Sequence, residues 1–244
     1  MQNRSTVTPY KTDAEKKEQV AEMFDNIAGS YDFLNHFLSL GIDKMWRTKA
    51  INSLREVSPK KMLDVATGTA DLAVASMKLK PESITGIDIS NKMLEVGRTK
   101  VAKKGLTDVI NLEWGDSENL PFDDNSFDAI TVAFGVRNFE NLDAGLSEMY
   151  RVLKPGGKMA VLEFSNPNRF PIKQLFGFYF KNVLPTLGKM VSKDNRAYTY
   201  LPESVKVFPE RKEFTNILEK LSFKDTTCEP LTFGIACLYT AKKK

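Results

Sequence analysis

Residues 127–165 read FDAITVAFGVRNFENLDAGLSEMYRVLKPGGKMAVLEFS, and this stretch predicts the order strand, loop, helix, turn, strand. Its first part, FDAITVAFGV, is an apolar run of strand length that is rich in β-branched and aromatic residues. Apolar side chains then recur at helical spacing over residues 141–153, and Pro155-Gly156-Gly157 is expected to end that helix before the strand KMAVLEF. Because strands joined by such a helix pair in parallel, the stretch predicts an α/β fold.

The same alternation runs through the preceding residues. Strands are predicted at 61–66, 83–89 and 109–115, and helices at 71–79 and 92–104. Repeated βαβ units predict a mostly parallel sheet with helices on both faces. The last two apolar runs, at 223–231 and 234–242, are expected to form an antiparallel pair of strands at one edge of that sheet.

Segments outside this alternation complete the organisation of the chain. Two helical segments are predicted at residues 15–28 and 31–46, and a further helix at residues 203–221. Residues 166–202, which contain aromatic residues and prolines, interrupt the alternation of strands and helices. We therefore expect a single domain over residues 1–244. Its parts are an N-terminal helical cap (1–46), a cofactor-binding core (60–165), an inserted lid or substrate segment (166–202), and a C-terminal helix with edge strands (203–244).

The composition is that of an ordinary globular protein, with 244 residues, 42% hydrophobic and 27% charged residues, and a net charge of +4. The basic residues are dispersed and form no array with aromatic residues, so we expect no nucleic-acid partner. The N-terminal sequence lacks the apolar core of a signal peptide, and no apolar run is long enough to span a membrane. We therefore expect a cytoplasmic protein.

The cysteines, Cys228 and Cys237, lie late in the chain. Their spacing fits neither a common zinc site nor a redox pair. We expect two thiols in neighbouring strands rather than a disulfide, and no metal.

The ends of the first three predicted strands carry groups suited to a nucleoside. LDVATGTADLAVA, residues 63–75, predicts a strand, a loop of small residues around Gly68, and a helix whose N-terminus offers N–H groups. Asp88 ends the second strand, where a carboxylate can accept hydrogen bonds from both ribose hydroxyls. Asp116 and Ser117 follow the third strand and are candidates to face an adenine amine.

Two cofactor classes fit this outline. A nicotinamide dinucleotide usually requires G-x-G-x-x-G, and the corresponding residues here are Gly68, Ala70 and Ala73. S-adenosylmethionine has no phosphate and carries a positive sulfonium and ammonium, which Asp64 beside the loop would suit. The pattern favours S-adenosylmethionine over an oxidoreductase cofactor, and a non-catalytic nucleotide-binding module stays as an alternative.

Several motifs make the chain resemble the class I methyltransferases. Within them it resembles the family that C-methylates quinone precursors, the demethylmenaquinone and 2-polyprenyl-6-methoxy-1,4-benzoquinol methyltransferases. The motifs are YDFLNHFLSLGIDKMWR (31–47), AFGVRN (133–138), RVLKPGGKMAVLEFS (151–165) and DNRAYTYLPESV (194–205). The resemblance implies a Rossmann-like fold with S-adenosylmethionine contacts at Thr67, Asp88, Asp116 and Ser117.

Three residues depart from the family pattern. Asp43 stands where the N-terminal motif usually has histidine, and Ala70 replaces a glycine that is common in the cofactor loop. Ala133 stands where some relatives have a serine that touches the cofactor, so a contact there is expected through the backbone only. None of the three removes a group that the chemistry clearly needs.

The resemblance implies methyl transfer to a ring carbon of a prenylated quinol, with demethylmenaquinol favoured over a ubiquinone-precursor benzoquinol. The carbon becomes nucleophilic when a ring hydroxyl loses its proton, so the enzyme must align the carbon with the methyl group and stabilise the oxyanion. Arg137 is the first candidate for the electrostatic role, and Asn138 is a candidate to hold the second ring oxygen. Tyr31 is a candidate for a position over the pocket, and His36, the sole histidine, is either a general base or a packing residue.

The resemblance also bears on partners. A prenylated quinol carries an insoluble tail, and LFGFYF (175–180) and LPTLGKMV (184–191) are the best candidates for a groove that receives it. We expect the insert to make transient contact with the inner face of the membrane, and the sequence leaves a homodimer open. A methyltransferase of this fold with another small-molecule acceptor is the competing interpretation, because fold alone does not choose an acceptor.

Overall fold

A seven-stranded sheet forms the centre of the molecule. The computed structural model describes residues 7–10, 12–39, 41–183 and 196–244. The strands are β1 (Lys61–Val65), β2 (Ser83–Asp88), β3 (Ile110–Trp114), β4 (Phe127–Ala133), β5 (Leu153–Phe164), β6 (Lys224–Leu231) and β7 (Ala236–Lys242). Their order is β3-β2-β1-β4-β5-β7-β6, with β1 to β5 parallel and β7 antiparallel to both of its neighbours. The predicted fold, a mostly parallel sheet with an antiparallel edge, is confirmed.

Helices cover both faces of this sheet. They are α1 (Lys16–Leu38), α2 (Ile42–Asn52), α3 (Asp71–Ser76), α4 (Asn91–Lys103), α5 (Leu142–Val152), α6 (Ile172–Phe178), α7 (Arg196–Val207) and α8 (Lys212–Lys220). Successive strand residues point to opposite faces, so Leu63 packs with α5 and α8 while Met62 packs with α2, α3 and α4. Two apolar cores, one on each side, therefore hold the sheet.

The N-terminal helices differ from the prediction. α1 continues through Gly29 and Ser30, which were expected to separate two segments, and ends at Leu38. The chain turns at Gly41, whose φ of +75° suits glycine, before α2 begins at Ile42. The predicted division between residues 28 and 31 was wrong, because α1 continues through them and buries Val20, Met23 and Ile27 in a shared core.

The turn between α5 and β5 also differs in position. α5 ends at Val152, and β5 begins at Leu153, whose backbone is extended. The predicted stop at Pro155 to Gly157 therefore lies inside β5, where the pairing with β4 shifts register. Proline disfavours helical backbone in the residue before it, which accounts for a helix that ends ahead of Lys154.

The region after β5 contains more helices than predicted. α6 is followed by a π-helical turn over Tyr179–Val183, and part of the expected groove, 184–191, lies outside the described residues. The prediction of a single helix over 203–221 was wrong. α7 begins earlier, at Arg196, and non-helical residues, among them Pro209 and Arg211, separate it from α8. Arg211 has a φ of +56°, which no helix interior accommodates.

The described part of the chain contains no helix that is long and apolar enough to cross a membrane. Cys228 on β6 and Cys237 on β7 occupy adjacent strands without a disulfide.

Candidate active site

Two adjoining cavities open at the carboxyl ends of the parallel strands. The first cavity is lined by residues that follow β1, β2, β3 and β4, among them Gly68, Asp88, Asp116, Ser117 and Asn138. The second cavity is lined by side chains from α1, α2, α7 and the β4 and β5 ends, among them Asp43, Arg47, Arg137, Phe164 and Tyr200. Phe24, Tyr31 and Phe134 line both cavities and form their shared wall.

The loop after β1 bends so that its backbone faces the first cavity. Ala66, Gly68 and Ala70 have φ values of +52°, +55° and +66°, a left-handed series that alanine adopts at a cost. Among the described residues, nothing lies within 4 Å of the position a Cβ would take at Gly68. A ligand can therefore approach the loop closely at this point.

Asp88 connects this loop to the end of β2. Its carboxylate accepts one hydrogen bond from the Gly68 N–H at 2.8 Å and one from the Ser90 N–H at 2.9 Å. Asp88 is only 9% exposed, and this burial raises the pKa of its carboxyl group to about 6. Asp88 lines the first cavity, so the residue that orders the loop also borders the space where a ligand would bind.

The structure does not bring Asp64 and Thr67 to the lining of the first cavity among its described residues. The Asp64 carboxylate accepts hydrogen bonds from the hydroxyls of Thr67 and Thr131, both at 2.6 Å. Burial raises the pKa of Asp64 to about 6, against these two donors that lower it. Direct ligand contact by Asp64 and Thr67 stays a prediction, and the geometry favours support of the loop.

The far end of the first cavity is acidic. Asp116 and Ser117 line it together with Glu118 and Glu140. Lys17 of α1 contributes a positive charge, with its Nζ 3.7 Å from an Asp116 oxygen. Carboxylates outnumber cations along the lining, so the cavity favours a positively charged ligand.

Arg137 and Asn138 are adjacent in sequence but face different cavities. They belong to a short 3-10 turn, Val136–Asn138, directly after the end of β4. Asn138 lines the first cavity, where its Nδ2 donates to the Phe134 carbonyl at 3.3 Å. Within the described residues, its buried Oδ1 has no hydrogen-bond partner.

Arg137 lines the second cavity and is held there by a buried ion pair. Its Nη1 lies 2.8 Å from a Glu163 oxygen and also donates to the Phe134 carbonyl. Its guanidinium lies over the Phe164 ring, 5.7 Å from the centroid. Burial raises the pKa of Glu163 while the Arg137 charge lowers it. Both side chains of this ion pair are buried.

Tyr31 lies in the shared wall, where its ring packs edge to face against the Phe24 ring with the centroids 5.9 Å apart. His36 lies on α1, and its side chain falls outside the described part of the structure. Among the described residues, no group of His, Cys, Asp and Glu is arranged to hold a metal ion.

Sequence reasoning assigned no role to three polar residues of the second cavity, and it noted Asp43 only as a departure from the family pattern. Asp43 and Arg47 are one helical turn apart on α2, with Arg47 Nε 3.4 Å from an Asp43 oxygen and its guanidinium 5.6 Å from the Phe134 centroid. Tyr200 on α7 is 2% exposed. The only signals for these residues were their places in the motifs 31–47 and 194–205.

A charged network fixes the N-terminal helices around the loop. Lys100 of α4 lies 2.6 Å from Asp32 of α1 and 2.5 Å from Asp71 of α3. Thr69 of the loop donates to Asp32, and Arg47 of α2 lies 3.8 Å from Asp71. Ion pairs therefore join four helices beside the loop after β1.

Comparisons with known proteins agree with this geometry. The model of the ubiE/COQ5 methyltransferase family matches residues 11–243. A Bacteroides fragilis protein called demethylmenaquinone methyltransferase is 55% identical over 238 residues, which is 97% of each chain. A Geotalea daltonii protein called ubiquinone/menaquinone biosynthesis C-methyltransferase UbiE is 48% identical over 94% of this chain and 98% of its own.

A solved structure supports the fold independently. It is described as a putative S-adenosyl-L-methionine-dependent methyltransferase from Methanococcus maripaludis, and it covers 96% of this chain and 97% of its own with a TM-score of 0.62. Its sequence identity of 23% carries the fold alone. The family match and the two relatives confirm the resemblance on which the sequence predictions rested, and the chain belongs to the ubiE/COQ5 methyltransferase family.

Proposed function

We propose that this chain is an S-adenosylmethionine-dependent methyltransferase that methylates a ring carbon of demethylmenaquinol, the last step of menaquinone biosynthesis. The observation that carries the proposal is the pair of cavities that meet at Phe24, Tyr31 and Phe134. One is acidic, the other is aromatic with a buried arginine, and the shared wall is where a methyl group would pass from one to the other. The name of the Bacteroides fragilis relative supports the acceptor.

The first cavity fits S-adenosylmethionine better than a dinucleotide. Asp88 and Asp116 supply acceptors for hydroxyl and amine donors, and the buried Asn138 Oδ1, without a partner among the described residues, supplies one for an ammonium group. A pyrophosphate would meet carboxylates here instead of the donors it requires. The bound cofactor supplies a methyl group on a positively charged sulfur.

The second cavity fits a flat aromatic acceptor. Phe134 and Phe164 stack with ring centroids 4.5 Å apart and form an apolar floor. Arg137 and Arg47 each place a guanidinium over one of these rings. A bicyclic quinol ring stacked on this floor would have cationic groups beside its oxygens.

The proposed methyl transfer releases one proton overall. A ring hydroxyl of the quinol loses its proton, and the electron density moves to the ring carbon. Bound S-adenosylmethionine would supply the methyl group to this carbon, and the electron pair of the methyl–sulfur bond would stay on sulfur. The same ring carbon then loses its hydrogen as a proton, and the oxygen is protonated again. Arg137 stabilises the oxyanion, and Tyr31 and Phe134 keep water from the transferring methyl group.

An acceptor comparison tests this proposal. The protein, S-adenosylmethionine and either demethylmenaquinol or the prenylated methoxybenzoquinol are mixed under reducing conditions, and S-adenosylhomocysteine formation is followed. We expect turnover with demethylmenaquinol and a loss of turnover when the acceptor is oxidised to the quinone. The benzoquinol is the second candidate, because the name of the Geotalea daltonii relative includes ubiquinone. Faster turnover with the benzoquinol would reverse the assignment.

We further propose that the segment around α6 receives the prenyl tail and touches the membrane surface at the cytoplasmic face. Phe170, Leu175 and Phe178 are 81%, 61% and 62% exposed, and such large apolar side chains in one segment are candidates for contact with lipid. Replacing all three with serine should reduce binding to phosphatidylglycerol vesicles in flotation, while Val207→Ser, an exposed apolar site on α7, should not. Equal flotation of the triple variant and the parent would oppose membrane contact. The homodimer stays a prediction, which light scattering tests.

A further inference from the structure

Polar atoms without partners concentrate at the two cavities. Among the described residues, the buried side-chain atoms that lack a hydrogen-bond partner are Arg137 Nε, Asn138 Oδ1, Tyr200 Oη and Arg211 Nε. All but Arg211 Nε belong to residues that line the first or the second cavity. Because an unpaired buried polar atom destabilises a fold, each one that is retained needs an explanation.

Tyr200 and Arg137 both line the second cavity, and each carries a buried polar atom that has no partner among the described residues. The charges of Arg137 and Glu163 act on the Tyr200 hydroxyl. Burial raises the pKa of Tyr200 to about 12. The hydroxyl therefore keeps its proton at neutral pH and is available as a donor.

The position of Tyr200 is fixed by packing. Its ring lies in a core with Val20, Met23 and Ile27 of α1 and Met93 of α4. At the start of α7, Arg196 Nε donates to the Pro9 carbonyl at 2.9 Å. A hydroxyl on a ring that is packed in this way can act as a preorganised donor where charge develops.

We propose that the Tyr200 hydroxyl and the Arg137 Nε–H together form the oxyanion site for the acceptor, donating two hydrogen bonds to the ring oxygen that loses its proton. This inference rests on the proposed function and adds Tyr200 as a catalytic residue. The two donors lower the free energy of the phenolate form and of the transition state that grows from it. The proton itself leaves for solvent, and neither donor changes its own protonation state.

The alternative is that Tyr200 only fills space in the core. A phenylalanine would then serve as well, because the described residues offer the hydroxyl no partner that its removal would strand. Tyr239 provides a matched control. It is also fully buried, but its hydroxyl accepts a hydrogen bond from the Arg211 N–H at 2.8 Å, away from both cavities.

The test compares Tyr200→Phe and Tyr239→Phe in the full chain. We expect Tyr200→Phe to lower kcat for demethylmenaquinol by about 100-fold, with S-adenosylmethionine affinity unchanged and a melting temperature equal to or above that of the parent. Its turnover should also reach half of its maximum at a higher pH, because the phenolate has lost a donor. Tyr239→Phe should melt at a lower temperature and keep the parent kcat.

Each outcome bears on the inference. A Tyr200→Phe protein with the parent kcat and pH profile would overturn the role of the hydroxyl while leaving the proposed function intact. A lower melting temperature with an unchanged pH profile would assign Tyr200 to packing. A parent protein that is inactive on every quinol would remove the proposed function and this inference with it.

Discussion

At the scale of single residues, the turn Val136–Asn138 divides the chemistry of the site. Asn138 of this turn lines the first cavity and Arg137 lines the second, so one turn of backbone contributes to both cavities. Glu163 fixes the Arg137 guanidinium from β5, two residues before Ser165. The acidic and the basic halves of the site are therefore positioned by the same strand ends.

Removing the Arg137 charge should slow methyl transfer without weakening cofactor binding. Arg137→Ala alone would leave Glu163 buried and unpaired, which destabilises a fold by about 3–5 kcal/mol. The informative variant is Arg137→Gln combined with Glu163→Gln, which keeps a hydrogen-bonded pair. We expect kcat to fall by about 100-fold or more, while calorimetry gives an S-adenosylmethionine affinity near that of the parent. If that affinity collapsed while turnover stayed intact, Arg137 would act on S-adenosylmethionine and not on the acceptor.

The affinity for S-adenosylmethionine should depend on the protonation of Asp88. Burial raises the pKa of this carboxyl to about 6, so it becomes neutral as the pH falls through that value. A neutral carboxyl attracts a cation less and offers one acceptor fewer, so the affinity should fall between about pH 7.5 and about pH 5. Asp88→Asn should bind more weakly at the higher pH and show a flatter dependence in calorimetry. The same slope in both proteins would exclude Asp88 as its source.

At the scale of elements, periodicity located the strands but not the helix ends. β1 to β4 lie where runs of strand length predicted them, and for β1, β2 and β4 burial on both faces leaves few alternatives. α1 passes through Gly29 because packing outweighs the propensity of one glycine, and Pro209 divides the predicted C-terminal helix. Local signals thus mark candidate helix boundaries, and tertiary contacts decide which ones are used.

The candidate site likewise contains residues that the sequence predicts and residues that it does not. Asp88 and Asp116 were predictable because a parallel sheet brings its carboxyl ends to one edge. Arg47 and Tyr200 were not, because they arrive on helices that lie far away in sequence. The separation of Arg137 from Asn138, and of Asp64 from the cavity, depends on side-chain directions in a loop, which no sequence period specifies.

Contact between the end of β4 and the loop after β1 should be sensitive to one methyl group. A Cβ at Gly135 would lie 2.6 Å from the Ala66 Cβ, so Gly135→Ala should destabilise the protein by about 1–3 kcal/mol. Because Ala66 starts the cofactor loop, its affinity for S-adenosylmethionine should fall as well. Urea unfolding and calorimetry measure the two effects.

Gly177→Ala is the matched control for that substitution. Gly177 lies in α6, and within the described residues nothing is closer than 4 Å to its added Cβ. Alanine is the better helix former, so stability should stay level or rise by up to about 1 kcal/mol. An equal loss of stability in both variants would argue against a steric cause at Gly135.

At the scale of the whole molecule, the site is closed by elements from both ends of the chain. Lys16 of α1 donates to the carbonyls of Phe139 at 2.7 Å and Arg137 at 3.3 Å, which ties the N-terminal helix to the turn after β4. Phe24 and Tyr31, further along α1, complete the wall shared by the two cavities. Because α7 adds Tyr200 to the second cavity, that cavity is built from elements that lie far apart in the sequence.

The most direct test of the central claim follows the methyl group itself. The protein is incubated anaerobically with demethylmenaquinol and S-adenosylmethionine that carries a deuterated methyl group, and the product is analysed by mass spectrometry with fragmentation. The expected result is one labelled methyl group on a ring carbon for each S-adenosylhomocysteine formed. Label on a ring oxygen, or no labelled product above that of the heat-inactivated protein, would contradict the account.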